Sequence, residues 1–291
     1  MGRSAVAGRL ARSWTRWLAL AFVSAGCSSG ALVLGRVDEA EPVRPGGAGG
    51  TSGTVADAAA LVDGPSCDPP SPARHYTFDG TGTEVTDRRG GAPGRVIGGA
   101  TLDGSGLLHL DGVDDYVDLP NGILSGLSEI TVAVWARRYT RAAYARLFDF
   151  GSTSLGEDPP DTEAYVGRTY LSLTIGTGFV PSGLAVLMKT GPDGETVAAS
   201  DDQLEIDTEM GLVVAVVSTQ TVSLFHGERL LTRIPRPAPL STIVDQNAWL
   251  GRSQYAAAPP LEADYADVRI WDRALPDCAM GVLQGQGPNP P

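Results

Sequence analysis

The sequence predicts an antiparallel β-sandwich of the jelly-roll kind, all-β apart from one short C-terminal helix, behind a disordered N-terminal tether. Three observations carry this expectation. Short segments either alternate apolar and polar residues or run as continuous apolar stretches. Turn-forming clusters separate them. The 37 Gly and 21 Pro make up a fifth of the 291 residues, too turn-rich for a helical bundle and suited to short strands joined by loops.

The first 26 residues read as an address. Arg3, Arg9, Arg12 and Arg16 precede any acidic residue. An apolar run at 17–23 ends in Ser24-Ala25-Gly26. A basic stretch, a short apolar stretch and a small-residue exit describe a secretory signal. The run is shorter than the ~20 residues that span a bilayer. An uncleaved anchor is the alternative, because Ala31-Leu32-Val33-Leu34 extends the apolar character. Cys27 follows the small pair and resembles the lipidated cysteine of a bacterial lipobox, with Ser24 where that pattern prefers Leu. Ser28 after it implies release toward the outer membrane.

Residues 27–66 read as a flexible Gly/Ala-rich tether. No aromatic residue occurs between Ser28 and His75, and residues 45–54 read PGGAGGTSGT. Such a stretch cannot bury enough apolar surface to offset its ordering entropy. With Cys27 lipidated, Cys67 and Cys278 remain, an even pair in an exported chain. A bond between them closes 211 residues and requires the two ends of the domain to meet within about 6 Å.

Between those cysteines the pattern is strands. Residues 264–272 alternate, with Ala266, Val268 and Ile270 on one face and Tyr265, Asp267, Arg269 and Trp271 on the other. ITVAVWA at 130–136 and LVVAVV at 212–217 are nearly continuous apolar runs, as in strands covered on both faces. Further strands are expected at 74–78, 107–110, 116–119, 147–150, 170–175, 184–189, 222–226, 230–233 and 249–251. Turns fall at Asp79-Gly80, Pro192-Asp193-Gly194, 235–239 and Pro259-Pro260. The helical segment is 274–283, with Pro276 in its first turn. The sandwich is thus expected over 67–284, with a disordered tail at 285–291.

Read in order, these segments resemble the laminin-G-like jelly roll of the concanavalin A-like lectin/glucanase group. The carrying residues are Tyr76-Thr77-Phe78-Asp79-Gly80, Leu110-Asp111-Gly112-Val113-Asp114-Asp115-Tyr116-Val117, Trp135, Leu147-Phe148-Asp149-Phe150-Gly151, Leu250-Gly251-Arg252 and the stretch DVRIWDRAL at 267–275. Two departures stand out. Met210-Gly211-Leu212 takes the place of a Trp-His pair, and His226-Gly227 that of an Asp-Gly turn. The resemblance implies first and last strands side by side, and a calcium ion near where they meet. Asp79 and Asp267 are the expected ligands, with Asp114 and Asp115 as a second set, since adjacent carboxylates repel unless a cation or hydrogen bonds compensate them. The ordinary alternative is turn-capping by these aspartates.

Two further expectations concern ligands. Glu205-Ile206-Asp207-Thr208-Glu209 resembles the Glu-x-Asp-x-Glu signature of retaining β-glucanases. That likeness implies Glu205 as nucleophile and Glu209 as acid/base, with Asp207 between them on one strand face. Trp271 and Tyr265, read as outward on the last strand, are the candidates for stacking a sugar ring. No serine-nucleophile elbow or phosphate loop occurs, and His75, His109 and His226 form no metal or triad pattern.

The balance of 22 basic against 34 acidic residues, net −12, argues against nucleic acid and against electrostatic docking on anionic lipid. The reading is therefore a monomeric, non-catalytic binding module for a glycan or cell-surface polymer, touching membrane only through its lipid. It is expected at the cell surface or outer membrane, otherwise periplasmic or secreted. The alternatives are a β-glucanase-like hydrolase and an adhesive surface protein without a small ligand. The expected mature chain begins at lipid-bearing Cys27. Intact-mass measurement of the exported protein checks this, and Cys27→Ser should move the protein from the membrane to the soluble fraction.

Overall fold

The computed structural model describes residues 66–289 apart from 140–141, 161, 179–182, 193 and 203–208. Its strands, in order, are β1 (Arg74–Thr77), β2 (Thr81–Gly82), β3 (Glu84–Asp87), β4 (Gly94–Ile97), β5 (Leu102–Asp103), β6 (Leu108–Asp111), β7 (Tyr116–Leu119), β8 (Ile130–Arg138), β9 (Ala145–Thr153), β10 (Gly167–Ile175), β11 (Leu184–Gly191), β12 (Gly194–Ser200), β13 (Gly211–Val217), β14 (Thr221–His226), β15 (Arg229–Pro235), β16 (Asn247–Leu250) and β17 (Glu262–Trp271). One helix, α1 (Ala279–Gln286), follows them.

All pairings are antiparallel. A front layer runs β12-β11-β10-β9-β16-β7-β4, and a back layer runs β1-β17-β8-β13-β14-β15. Strand β3 joins the layers: Val85 pairs with Gly94 of β4, while Asp87 pairs with Tyr76 of β1. At the other end β12 lies against β15, so the sandwich is close to a barrel. The β2–β5 ribbon stands apart.

The core between the layers is aliphatic and aromatic. Ile130, Val132, Val134 and Ala136 of β8 face Phe148, Phe150, Leu171 and Leu173 of the front layer, all fully buried. A second apolar cluster lies outside the back layer. Ala133, Trp135, Leu212, Val214 and Trp271 meet Ala279, Met280 and Leu283 of α1 there. This explains the continuous apolar runs of β8 and β13. One set of residues faces the opposing sheet and the alternate set faces the helix, so neither face is wet.

The alternation read for 264–272 is re-phased. Tyr265 pairs with Ala136 and Asp267 with Trp135, leaving Ala266 as an extra residue. One inserted residue sends a side chain to the other face of a sheet. Tyr265 therefore joins Val268 and Ile270 in the central core, and Ala266 joins Trp271 beneath the helix.

The expected bracket is present. β1 pairs along β17 from Arg74↔Ile270 to Thr77↔Asp267, and Cys67 is bonded to Cys278 with Cα atoms 5.1 Å apart. The helix starts later than expected. Turn hydrogen bonds from Ala279 and Met280 back to Pro276 and Asp277 lead into it. The tail expected to be disordered from 285 is tied down as far as Asn289. Arg269 donates to Gln286 Oε1 at 3.0 Å and to the Gly287 carbonyl at 2.6 Å, and Asn289 N–H donates to Asp267 Oδ2 at 2.7 Å.

The disulfide closes a 211-residue separation, for which the chain-entropy account gives about 5 kcal/mol as an upper figure. Replacing both cysteines by Ala is expected to lower the unfolding free energy by several kcal/mol, with β-sheet content retained. Urea denaturation followed by far-UV circular dichroism checks this.

Candidate functional site

The outer face of the back layer is sealed by α1. Among the described residues no helix covers the outer face of the front layer, and that face is rich in polar and aromatic groups. Across β10 and β9 it presents Tyr170, Ser172 and Thr174 beside Arg146 and Asp149; Ser172 pairs with Asp149 and Thr174 with Arg146. A bulge at Leu147, between the Leu173 and Thr174 pairings, brings Arg146 and Asp149 to one face although they are three residues apart.

A segment at 251–260 crosses this face. It leaves β16 at Gly251, whose φ of 87° lies in the left-handed region. A Cβ there would approach Leu110 Cδ1 to 2.4 Å, so any other residue would be strained and would displace Leu110. Gln254 N–H then donates to Asp149 Oδ2 at 3.0 Å, and its side-chain amide donates to the Asp149 carbonyl at 3.3 Å. The Tyr255 ring meets Tyr170 edge-on at 5.8 Å, and its hydroxyl accepts from Lys189 Nζ at 2.7 Å.

Tyr255 divides two cavities. One, of about 220 Å³, is lined by Asp114, Asp115, Tyr116, Tyr165, Arg252 and Tyr255 among others. The Arg252 guanidinium lies 4.6 Å from the Tyr116 ring centre and 4.5 Å from that of Trp249, and donates to the Pro159 carbonyl. The second, of about 320 Å³, is lined by Tyr144, Arg146, Tyr170, Glu195, Tyr255 and Pro259 among others. Tyr144 is 39% exposed, whereas Tyr170 is buried and donates its hydroxyl to Glu195. Arg146, only 2% exposed, donates from Nε to Asp149 Oδ2 at 3.2 Å. Such a surface can hold a flat, hydroxyl-bearing molecule: rings supply apolar faces and charged groups supply directed hydrogen bonds.

Residues 111–279 match the family described as the concanavalin A-like lectin/glucanases superfamily. The chain belongs to that superfamily. Two solved structures share the fold. Domain 4 of AbnA, a GH43 extracellular arabinanase from Geobacillus stearothermophilus, in complex with arabinotriose, aligns at TM-score 0.57 and 16% identity, over 73% of this chain and 97% of that one. Trypanosoma rangeli sialidase, in complex with a difluorinated KDN, aligns at TM-score 0.54 and 14% identity, over 74% of this chain but only 32% of the sialidase. No curated protein matches the chain in sequence.

Residues singled out as superfamily features fall in scattered places. Tyr265 and Trp271 are corrected: both are buried and offer no ring face to a ligand. Tyr265 donates to the Leu147 carbonyl inside the core, and Trp271 Nε1 donates to the Pro70 carbonyl. The bulge at Ala266 and the helix over the back layer are the reasons. Glu205 and Asp207 lie outside the described residues, and Glu209 is exposed.

The calcium ligands expected at Asp79 and Asp267 do not fit an ion. Asp79 accepts from Thr77 and from Arg88, and Asp267 Oδ2 accepts from Arg269 and from the Asn289 backbone. Ligand oxygens spent on arginines are not available to a cation. Asp111, Asp114 and Asp115 do bring carboxylate oxygens within 4.8 Å of one another. At Asp115, however, hydrogen bonds already compensate the charge: Oδ1 accepts from Gly99 and Ala100 N–H, and Oδ2 from Asp111 N–H.

Sequence reasoning missed Tyr144, Arg146, Tyr170, Glu195 and Tyr255. The available signal was the motif Leu250-Gly251-Arg252, which marks where the crossing segment begins. Nothing in the pattern distinguished Tyr144.

Three carboxyls are raised to about 6 by burial first: Asp149, fully enclosed; Asp118, to which the nearby Asp158 charge adds; and Asp245, despite the Leu124 N–H it accepts. A raised carboxyl favours the folded state while protonated. That contribution is complete below about pH 4 and is lost as pH rises through about 6. The melting temperature is therefore expected to fall between pH 4 and 7, and Asp245→Asn to flatten that slope. Calorimetry across the range checks both.

Proposed function

We propose that the chain is a non-catalytic carbohydrate-binding module whose ligand lies along the outer face of the front layer, in the two cavities on either side of Tyr255. The observation that carries this reading is that arrangement itself. Exposed or half-buried tyrosine rings, Tyr144 and Tyr255, stand beside Arg146, Glu195 and Arg252 on a sheet face over which no helix lies among the described residues. The fold it shares with an arabinanase domain whose complex holds arabinotriose supports the same reading, as analogy, because one fold hosts many functions. The module is held at the cell surface by lipid on Cys27 through residues 28–66.

Titration calorimetry against a glycan panel, with and without EDTA, tests the proposal. At least one oligosaccharide is expected to bind. Tyr255→Ala should weaken it about tenfold or more, the loss expected when a stacked ring is removed, while the melting curve changes little. Absence of binding to every glycan would favour an adhesive role without a small ligand. Release of reducing sugar would favour the hydrolase reading.

A further inference from the structure

Resting on that reading, we infer that the ligand class is a neutral, hydroxyl-rich saccharide, anchored between Arg146 and the Tyr144 ring, and that acidic sugars are excluded.

At the larger of the two cavities Arg146 is the deepest cation, and Asp149 beside it neutralises it at 3.2 Å. Its Nη1 has no hydrogen-bond partner among the described residues. A buried guanidinium seeks to fill its donors. Its charge is already matched, so what remains is the capacity to donate a hydrogen bond, which a sugar hydroxyl accepts without bringing a second negative charge. Lys189 and Glu195 are cross-strand neighbours, Lys189 donating to the Tyr255 hydroxyl and the Gly167 carbonyl and Glu195 accepting from the Tyr170 hydroxyl. Among the described residues lining this cavity Arg146 is the one cation, and its charge is matched by Asp149.

Beyond Tyr255 the smaller cavity is lined by Asp114 and Asp115, whose carboxylates lie within 4.8 Å of that of Asp111, while Asp118 stands near the charges of Asp158 and Glu157. Against these stand Arg252, engaged by three aromatic rings and the Pro159 carbonyl, and Arg95, the cross-strand partner of Asp118. An anionic glycan entering the smaller cavity meets like charge at Asp114 and Asp115.

Tyr144 has a φ of 70°, a conformation in which a bulky residue is a true outlier. Its backbone N–H donates to the Ile175 carbonyl and its hydroxyl accepts from Gly178 N–H at 2.6 Å. The strained backbone holds a partly exposed ring at the cavity wall. Local strain of this sort gathers at ligand sites, and an uncharged ring face is matched to the C–H face of a neutral sugar.

The test uses the full chain with arabinotriose and linear neutral gluco-oligosaccharides in one arm, and sialyllactose and oligogalacturonate in the other, at low and high salt. The expected result is binding to a neutral probe with an affinity insensitive to salt, and none to the acidic probes. Arg146→Lys, which keeps the charge but loses the guanidinium fork, should weaken neutral binding about tenfold. Tyr144→Gly should weaken it similarly while leaving the melting temperature unchanged or raised, since glycine relieves the backbone strain. That pairing separates a binding role from a merely structural one. Binding confined to the acidic probes and weakened by salt would overturn this inference and leave the glycan-binding proposal standing. So would neutral binding unaffected by both substitutions. Failure of all probes in both arms would overturn the two together.

Discussion

Strand β17 pairs on one edge with β1 and β6 and on the other with β8, and every layer of the molecule depends on its being enclosed. Its backbone groups are hydrogen-bonded on both sides, and both its faces are covered, one by the front layer and one by α1. Such a strand tolerates a polar side chain only where that side chain is fully partnered. Asp267 is the case in point. Fully buried, it accepts from Arg269 and from Asn289 N–H and faces His75 Nε2 at 3.0 Å. Arg269 in turn lies 4.1 Å over the Trp135 ring and reaches the C-terminal residues. The network ties first strand, last strand and tail into one place, and the Cys67–Cys278 bond lies beside it in the chain on both ends.

That closure frees the far side of the sandwich. Among the described residues α1 packs on the back layer and no second helix covers the front layer. A segment of ten residues crosses it instead, and a crossing that narrow leaves hollows on both flanks. The polar groups beneath it are satisfied by its backbone: Gln254 N–H binds Asp149, which in turn holds Arg146. The same residues that let a polar sheet face be buried thereby shape the cavities and fix their charge. Burial is also why Asp149 and Asp118 are raised toward neutrality, so the site's electrostatics and the fold's pH response have one cause.

The neighbouring acidic turn shows main-chain donors compensating a carboxylate. Three backbone N–H groups point at Asp115. Main-chain donors stabilise a carboxylate as effectively as a counter-ion does, and they leave the rim of the groove negative. The contrast with Asp267, held by Arg269, separates two solutions to the same problem: one exports negative potential to the surface and the other hides it.

The sequence by itself determined the sandwich, most of its strands, the order that brings the ends together and the cysteine pair. These rest on local signals: β8 and β13 are long apolar runs, β7 lies in a turn-rich motif, and glycines and prolines punctuate the rest. It was silent on β3, β4 and β12, whose segments EVTD, GRVI and GETVAAS carry one or two strong strand formers each and are strands only because neighbours supply hydrogen bonds. Tertiary structure alone decided which way Tyr265 points, since a single bulge at Ala266 inverts the face. It alone decided that Trp271 is roofed by α1, and that Tyr144, Arg146 and Tyr255, more than a hundred residues apart at the extremes, meet on one surface. A period-of-two pattern reports what a strand wants on each face, but the choice of which face is wet is made by long-range packing that no local window contains.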